Sequence, residues 1–135
     1  MRYLNCIEML NYVLKILKSD SRQPVPVSKM PELVACLRGL QAIMAEEQIN
    51  DAMASVTMTD MIRSVLSIQT ADIKMVNLSE VMKQGLIEGA MKIRNIIATE
   101  AFSYYEDHEF EPTPEVIPLM RVVVEGYAAS GGRLV

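Results

Sequence analysis

The chain has 135 residues, half of them hydrophobic, with 13 basic and 17 acidic side chains, one histidine and a formal net charge of −4. That length fits one domain able to bury roughly two-thirds of the surface its unfolded chain exposes, with no need of disulfide or metal staples. The acidic balance argues against a dominant phosphate-binding surface, and no run of about 18 consecutive apolar residues marks a membrane-spanning helix.

The first 18 residues read as a helix from Arg2 to Lys18, with Leu4, Ile7, Leu10, Leu14 and Leu17 on one side and Tyr3, Cys6, Val13 and Ile16 widening the stripe. Asn5, Glu8, Asn11 and Lys15 interrupt any apolar core that a signal peptide would need, so the segment reads as part of a soluble, unprocessed chain. Pro24 and Pro26 then set a partly extended connection. A second helix starts between Ser28 and Pro31 and buries Leu33, Leu37, Leu40 and Met44. Ala42, Ala45, Ala52 and Ala54 carry its pattern to about Ser55, and Thr57 caps a short third helix ending near Gln69.

Asn77 reads as the cap of a long fourth helix, with Glu80 as its capping-box partner and Leu78, Val81, Met82, Leu86, Ile93, Ile97 and Ala101 at helical spacing. Two prolines, Pro112 and Pro114, break the acidic segment that follows. A last helix runs from Thr113, or from nearer Ile117 if Pro118 is to lie in its first turn, to about Ala129. Val122, Val123 and Val124 leave a strand open for that stretch. Ser130-Gly131-Gly132 opens a short tail over residues 130–135. The expectation is therefore all-α: one domain over residues 1–135, with about five helices packed around a long central one at approximately residues 77–105.

Two glycines four apart, Gly85 and Gly89, sit in the middle of that central helix, where each costs roughly 0.5–1 kcal/mol relative to alanine. Close approach by another backbone would offset the loss, whether from the same chain or from a partner. If a partner, Gly85, Gly89, Leu86, Met82 and Ile93 form the contact, with Phe102 and Tyr105 as aromatic anchors, and Gly89→Leu alters the stoichiometry. Methionines along helices two to four either fill core gaps or make an adaptable surface.

Charge is unevenly distributed. Residues 1–40 hold six basic against three acidic side chains, and residues 41–135 hold seven against fourteen. Such polarity can orient a partner or identical subunits. Lys15, Lys18, Arg22, Lys29, Arg38 and Arg63 would serve a DNA-binding alternative in which helices two and three form a helix-turn-helix. Glu106, Asp107, His108 and Glu109, with Glu111 and Glu115 nearby, would serve a small metal-dependent enzyme, although there is no Glu-x-x-His pair and no EF-hand spacing. Cys6 and Cys36 form no CxxC and read as reduced core thiols in a cytoplasmic setting. The residues point best to a non-enzymatic interaction module: an assembly, adaptor or regulatory protein that docks by a helix face, as a homo-oligomer or within a larger complex, with no cofactor. The composition would also suit a viral or phage accessory or virion component.

Overall fold

In a computed structural model, which describes residues 3–18, 22–70, 76–107 and 117–129, the chain is all-α. The helices are α1 (Leu4–Leu17), α2 (Met30–Glu46), α3 (Ala52–Thr70), α4 (Glu80–Asp107) and α5 (Ile117–Ala129), with one 3-10 turn at Val27–Lys29. Helix α1 packs on α2 and α4, and α3 packs on α2 and α4, so the first four helices close a ring around one core. Helix α5 lies on α4 and reaches α1 at its edge.

The connections show that neighbouring helices run antiparallel. At one end of the bundle, Val27 N–H donates to the Val76 carbonyl and Leu78 N–H to the Val25 carbonyl, both at 2.8 Å. This antiparallel bridge, with Pro26 opposite Asn77, ties the α1–α2 connection to the α3–α4 connection. At the other end the Glu47 carboxylate, just past α2, accepts the Tyr3 N–H at 2.9 Å and the Asn5 Nδ2 at 3.3 Å. Helix α1 has no side-chain cap of its own, and this carboxylate supplies the acceptor and the negative charge that a helix N-terminus favours. Tyr3 also meets Tyr104, near the end of α4, edge to face at 5.6 Å.

Three helix boundaries differ from the sequence expectation. The second helix does not continue to Ser55, because Gln48 turns left-handed at φ 57°. Gln48 N–H reaches the Ala45 carbonyl at 3.2 Å and Ile49 N–H the Met44 carbonyl at 2.8 Å, the two bonds of a Schellman ending. Asp51 caps α3 instead of Thr57, accepting the Ala54 N–H at 2.9 Å; the Thr57 hydroxyl bonds back to the Met53 carbonyl at 2.7 Å, one turn inside the helix. Asn77 is held in the bridge, so Ser79 caps α4 through the Met82 N–H at 3.2 Å and Glu80 becomes the first helical residue, not a capping-box partner.

Helix α4 buries Leu86, Ile87, Ala90, Ile93, Ile97, Ala98 and Ala101, but Val81 and Met82, expected on that stripe, are 84% and 41% exposed. Lys83 takes a buried position there, its ammonium donating to the Gln23 carbonyl at 2.8 Å. Helix α5 is described from Ile117 on, and the valine run within it is helical. The expected tail at 130–135 lies outside the described residues.

Gln48→Gly removes the side chain from a left-handed position and is expected to raise stability by about 0.5–1 kcal/mol, whereas Asp51→Ala removes a helix cap and should lower it by about 1 kcal/mol. Urea unfolding followed by circular dichroism measures both; a neutral Gln48→Gly would contradict the left-handed ending.

Candidate functional site on helices α3 and α4

The two glycines of α4 do different things. A Cβ at Gly89 would stand 2.9 Å from the Met61 Sδ and 3.6 Å from the Thr57 Cγ2, both on α3 of the same chain. Gly89 is therefore the point where α3 closes on α4, and it spends its missing side chain inside the fold. A Cβ at Gly85 would meet nothing within 4 Å. One turn toward the N-terminus of α4, no described neighbour fills the space that the second glycine leaves.

That space belongs to a furrow between α3 and α4. One cavity of about 530 Å³ is lined from α3 by Thr57, Asp60, Met61, Ser64, Ser67 and Ile68, and from α4 by Met82, Gly85, Leu86, Gly89 and Lys92. A second, of about 500 Å³, shares Lys92 and continues past Asp51, Met53, Glu88, Met91, Asn95, Ile96 and Thr99. Along them Met53, Met82 and Met91, and Val81 beside Gly85, are each at least 40% exposed. The methionines divide: Met30, Met44, Met58 and Met61 are core, while Met53, Met82 and Met91 form surface.

Of the residues expected at an interface, Gly85 and Met82 line the furrow and are open. Leu86 lines it with only its edge showing, and Ile93 is fully buried in the core. Phe102 and Tyr105 are partly buried against the core, and the Tyr105 ring stands edge-on to Tyr104 at 5.0 Å. Met53 and Met91 take the surface alternative that the sequence left open for the methionines, whereas Val81 was expected on the buried stripe. Val81 carried a signal, since with Met82 and Gly85 it repeats at three- and four-residue spacing, but that spacing alone does not say which side is covered.

The residues of the nucleic-acid alternative are spread over the fold. Lys15 lies on α1, Lys18 just after it, Arg22 and Lys29 in the next connection, Arg38 on α2 and Arg63 on α3, all exposed. Lys29 is within 3.8 Å of Glu32. Arg63, on the helix expected to read DNA, is not among the furrow's lining residues.

Glu106 and Asp107 end α4, while His108, Glu109, Glu111 and Glu115 lie outside the described residues. Among the described residues no group of three His, Cys, Asp or Glu side chains is placed to hold a metal ion.

The thiols are held in their neutral form. Burial, and then the Glu47 carboxylate 3.6 Å from the sulfur, push Cys6 up to about 12. Burial, then Glu32, raises Cys36 as well. Both are free. A further cavity of about 590 Å³ between α1 and α2 runs beside Met9, Tyr12, Lys15, Cys36 and Ile43, and the Tyr12 hydroxyl donates to Glu32 at 2.6 Å next to it.

No protein family, curated protein or solved structure matches the chain, so the functional reading rests on this geometry.

The glycines separate in a stability measurement. Gly85→Ala adds a better helix former in open space and should stabilise by about 0.5–1 kcal/mol. Gly89→Leu forces a side chain into Met61 and should destabilise by about 1–3 kcal/mol, so it probes packing within the chain, one of the two alternatives the sequence left open, and not a subunit contact. Similar effects at both sites would contradict the geometry.

Cys6 has a folded pKa above its unfolded value, so its contribution to stability is fully present below about pH 9 and is lost as pH rises toward 12. Between pH 9 and 11 the wild type should therefore lose stability more steeply than Cys6→Ala. Parallel pH profiles would show that the thiol does not titrate differently in the fold.

Proposed function

We propose that this protein is a non-enzymatic interaction module that docks a protein partner on its α3–α4 face, either as a homo-oligomer or within a larger complex. The observation that carries this reading is Gly85. A glycine in the interior of a helix costs on the order of 1 kcal/mol, and among the described residues no close packing at that position offsets the loss. The missing Cβ keeps a furrow open, and exposed valine and methionine side chains border it. Apolar surface of this kind favours aggregation unless a partner covers it.

The lining supports binding over chemistry. It is built mainly from thioether, aliphatic and hydroxyl side chains, with Asp60 and Lys92 as its charged members, while the two cysteines lie on α1 and α2 and are held protonated. Methionine side chains adapt to different partner shapes at little conformational cost, which suits an assembly or adaptor surface.

Gly85→Leu tests the reading, because its Cβ enters open space and the fold should survive. Native mass spectrometry of the full chain, isolated gently from its host, should show that the substitution removes a subunit or a bound partner while circular dichroism stays unchanged. Identical spectra for wild type and variant would overturn the proposal.

A further inference from the structure

The borders of the furrow carry charge of mainly one sign. Asp60 lines the first cavity, and Asp51 and Glu88 line the second. Glu80 and Glu88 also flank a shallow depression that continues over α4 beside Val81, Gln84 and Gly85. Lys92 is the single cation among these lining residues, giving four carboxylates against one ammonium. Such a border repels the phosphates of nucleic acid and attracts lysine and arginine.

The shape is that of a seat for a helix. Two adjacent helices present ridges with a groove between them, and a third helix fills such a groove with its own ridge of side chains. The open positions on α4, Val81, Met82 and Gly85, recur at the three- and four-residue spacing that an approaching helix would follow, and Gly85 lets its backbone come close. Met53, Met82 and Met91 supply flexible thioethers along the path.

Resting on the reading of this face as a docking site, we infer that its occupant is an amphipathic helix with an aliphatic stripe flanked by lysine or arginine, contributed by a partner protein. The stripe enters the furrow over Gly85, and the basic flanks meet Asp51, Asp60, Glu80 and Glu88. Apolar burial supplies most of the affinity, and the charges set the orientation and exclude acidic helices.

Three synthetic peptides of about 18 residues, five helical turns, test the inference. One carries a leucine stripe with lysine flanks, one the same stripe with glutamate flanks, and one is a scrambled lysine peptide of identical composition with no stripe. Binding to the full chain is followed by fluorescence anisotropy at low and high salt, and the site is mapped by hydrogen exchange. The lysine-flanked peptide is expected to bind about tenfold or more tighter than either of the others. It should weaken with salt, lose about tenfold on Gly85→Leu, lose its preference over the glutamate peptide on Glu88→Lys, and protect α3 and α4.

Equal binding by the scrambled peptide would mean charge attraction without a helix seat, and overturns the inference. Equal binding by the glutamate peptide, with protection still on α3 and α4, overturns the basic-helix assignment and leaves the docking face standing. Protection elsewhere, or binding by none of the three, overturns the basic-helix assignment; protection elsewhere also argues against the docking face.

Discussion

Helix α4 has to satisfy α1, α3 and α5 at once, and small side chains make that possible. Ala90, Ala98 and Ala101 are fully buried, and Gly89 admits Met61, so neighbouring helices come close where a larger residue would hold them off. Between these low points Ile93 and Ile97 project into the core, also fully buried, and interlock with side chains from the surrounding helices. Large residues alone would keep the neighbours apart, and alanine alone would leave the core underfilled. The alternation fixes where each helix crosses α4. The α1 crossing adds a polar contact, the Arg94 Nη1 donating to Asn11 at 2.9 Å, although the Arg94 Nε is buried with no partner among the described residues. An unsatisfied buried donor of that kind costs about 1–3 kcal/mol, which the surrounding apolar burial must outweigh.

The ends of the bundle are fixed by interactions that join segments distant in sequence. Glu47 satisfies the start of α1 from the end of α2, and the Tyr3–Tyr104 pair brings the end of α4 to the same place. At the opposite end the bridge at Pro26 and Asn77 holds two connections side by side. Pro26 contributes no N–H, and the bridge uses the donors on Val27 and Leu78 instead, so the proline sits where its missing donor is not needed. Each of these contacts couples the placement of one helix to that of another, which makes the register of the four helices a shared property.

The helices themselves were legible in the sequence because their apolar periodicity is long and regular. The break between α2 and α3 was not legible. The left-handed residue that ends α2 is Gln48, where glycine or asparagine would have been the signal, and the alanines on both sides favour continuing the helix. At α4, Asn77 and Ser79 are both competent caps, and only the bridge to Pro26, a contact across 51 positions of sequence, decides between them. The site was half legible for a related reason. Spacing marks Gly85 and Gly89 as one face, but their roles differ because Met61 reaches one of them while no described residue of another element stands within 4 Å of where a Cβ would lie on the other. Periodicity gives the direction of a side chain and does not report how far away the neighbouring helix lies.

The furrow stays open because of what its walls are made from. Ser64, Ser67 and Gly85 put no large side chain into the space between α3 and α4, so that part of the seam is not filled from within the described chain. Asp60, Ser64, Ser67 and Lys92 make the open part of the wall polar, beside the apolar Met82 and Leu86. Thr57 shows the same economy at the closed end, since its hydroxyl is turned to the Met53 carbonyl and its methyl group is the one that faces Gly89. The wall is therefore polar where it is open and apolar where it closes on Gly89, the division of character that the proposed docking of a partner would use.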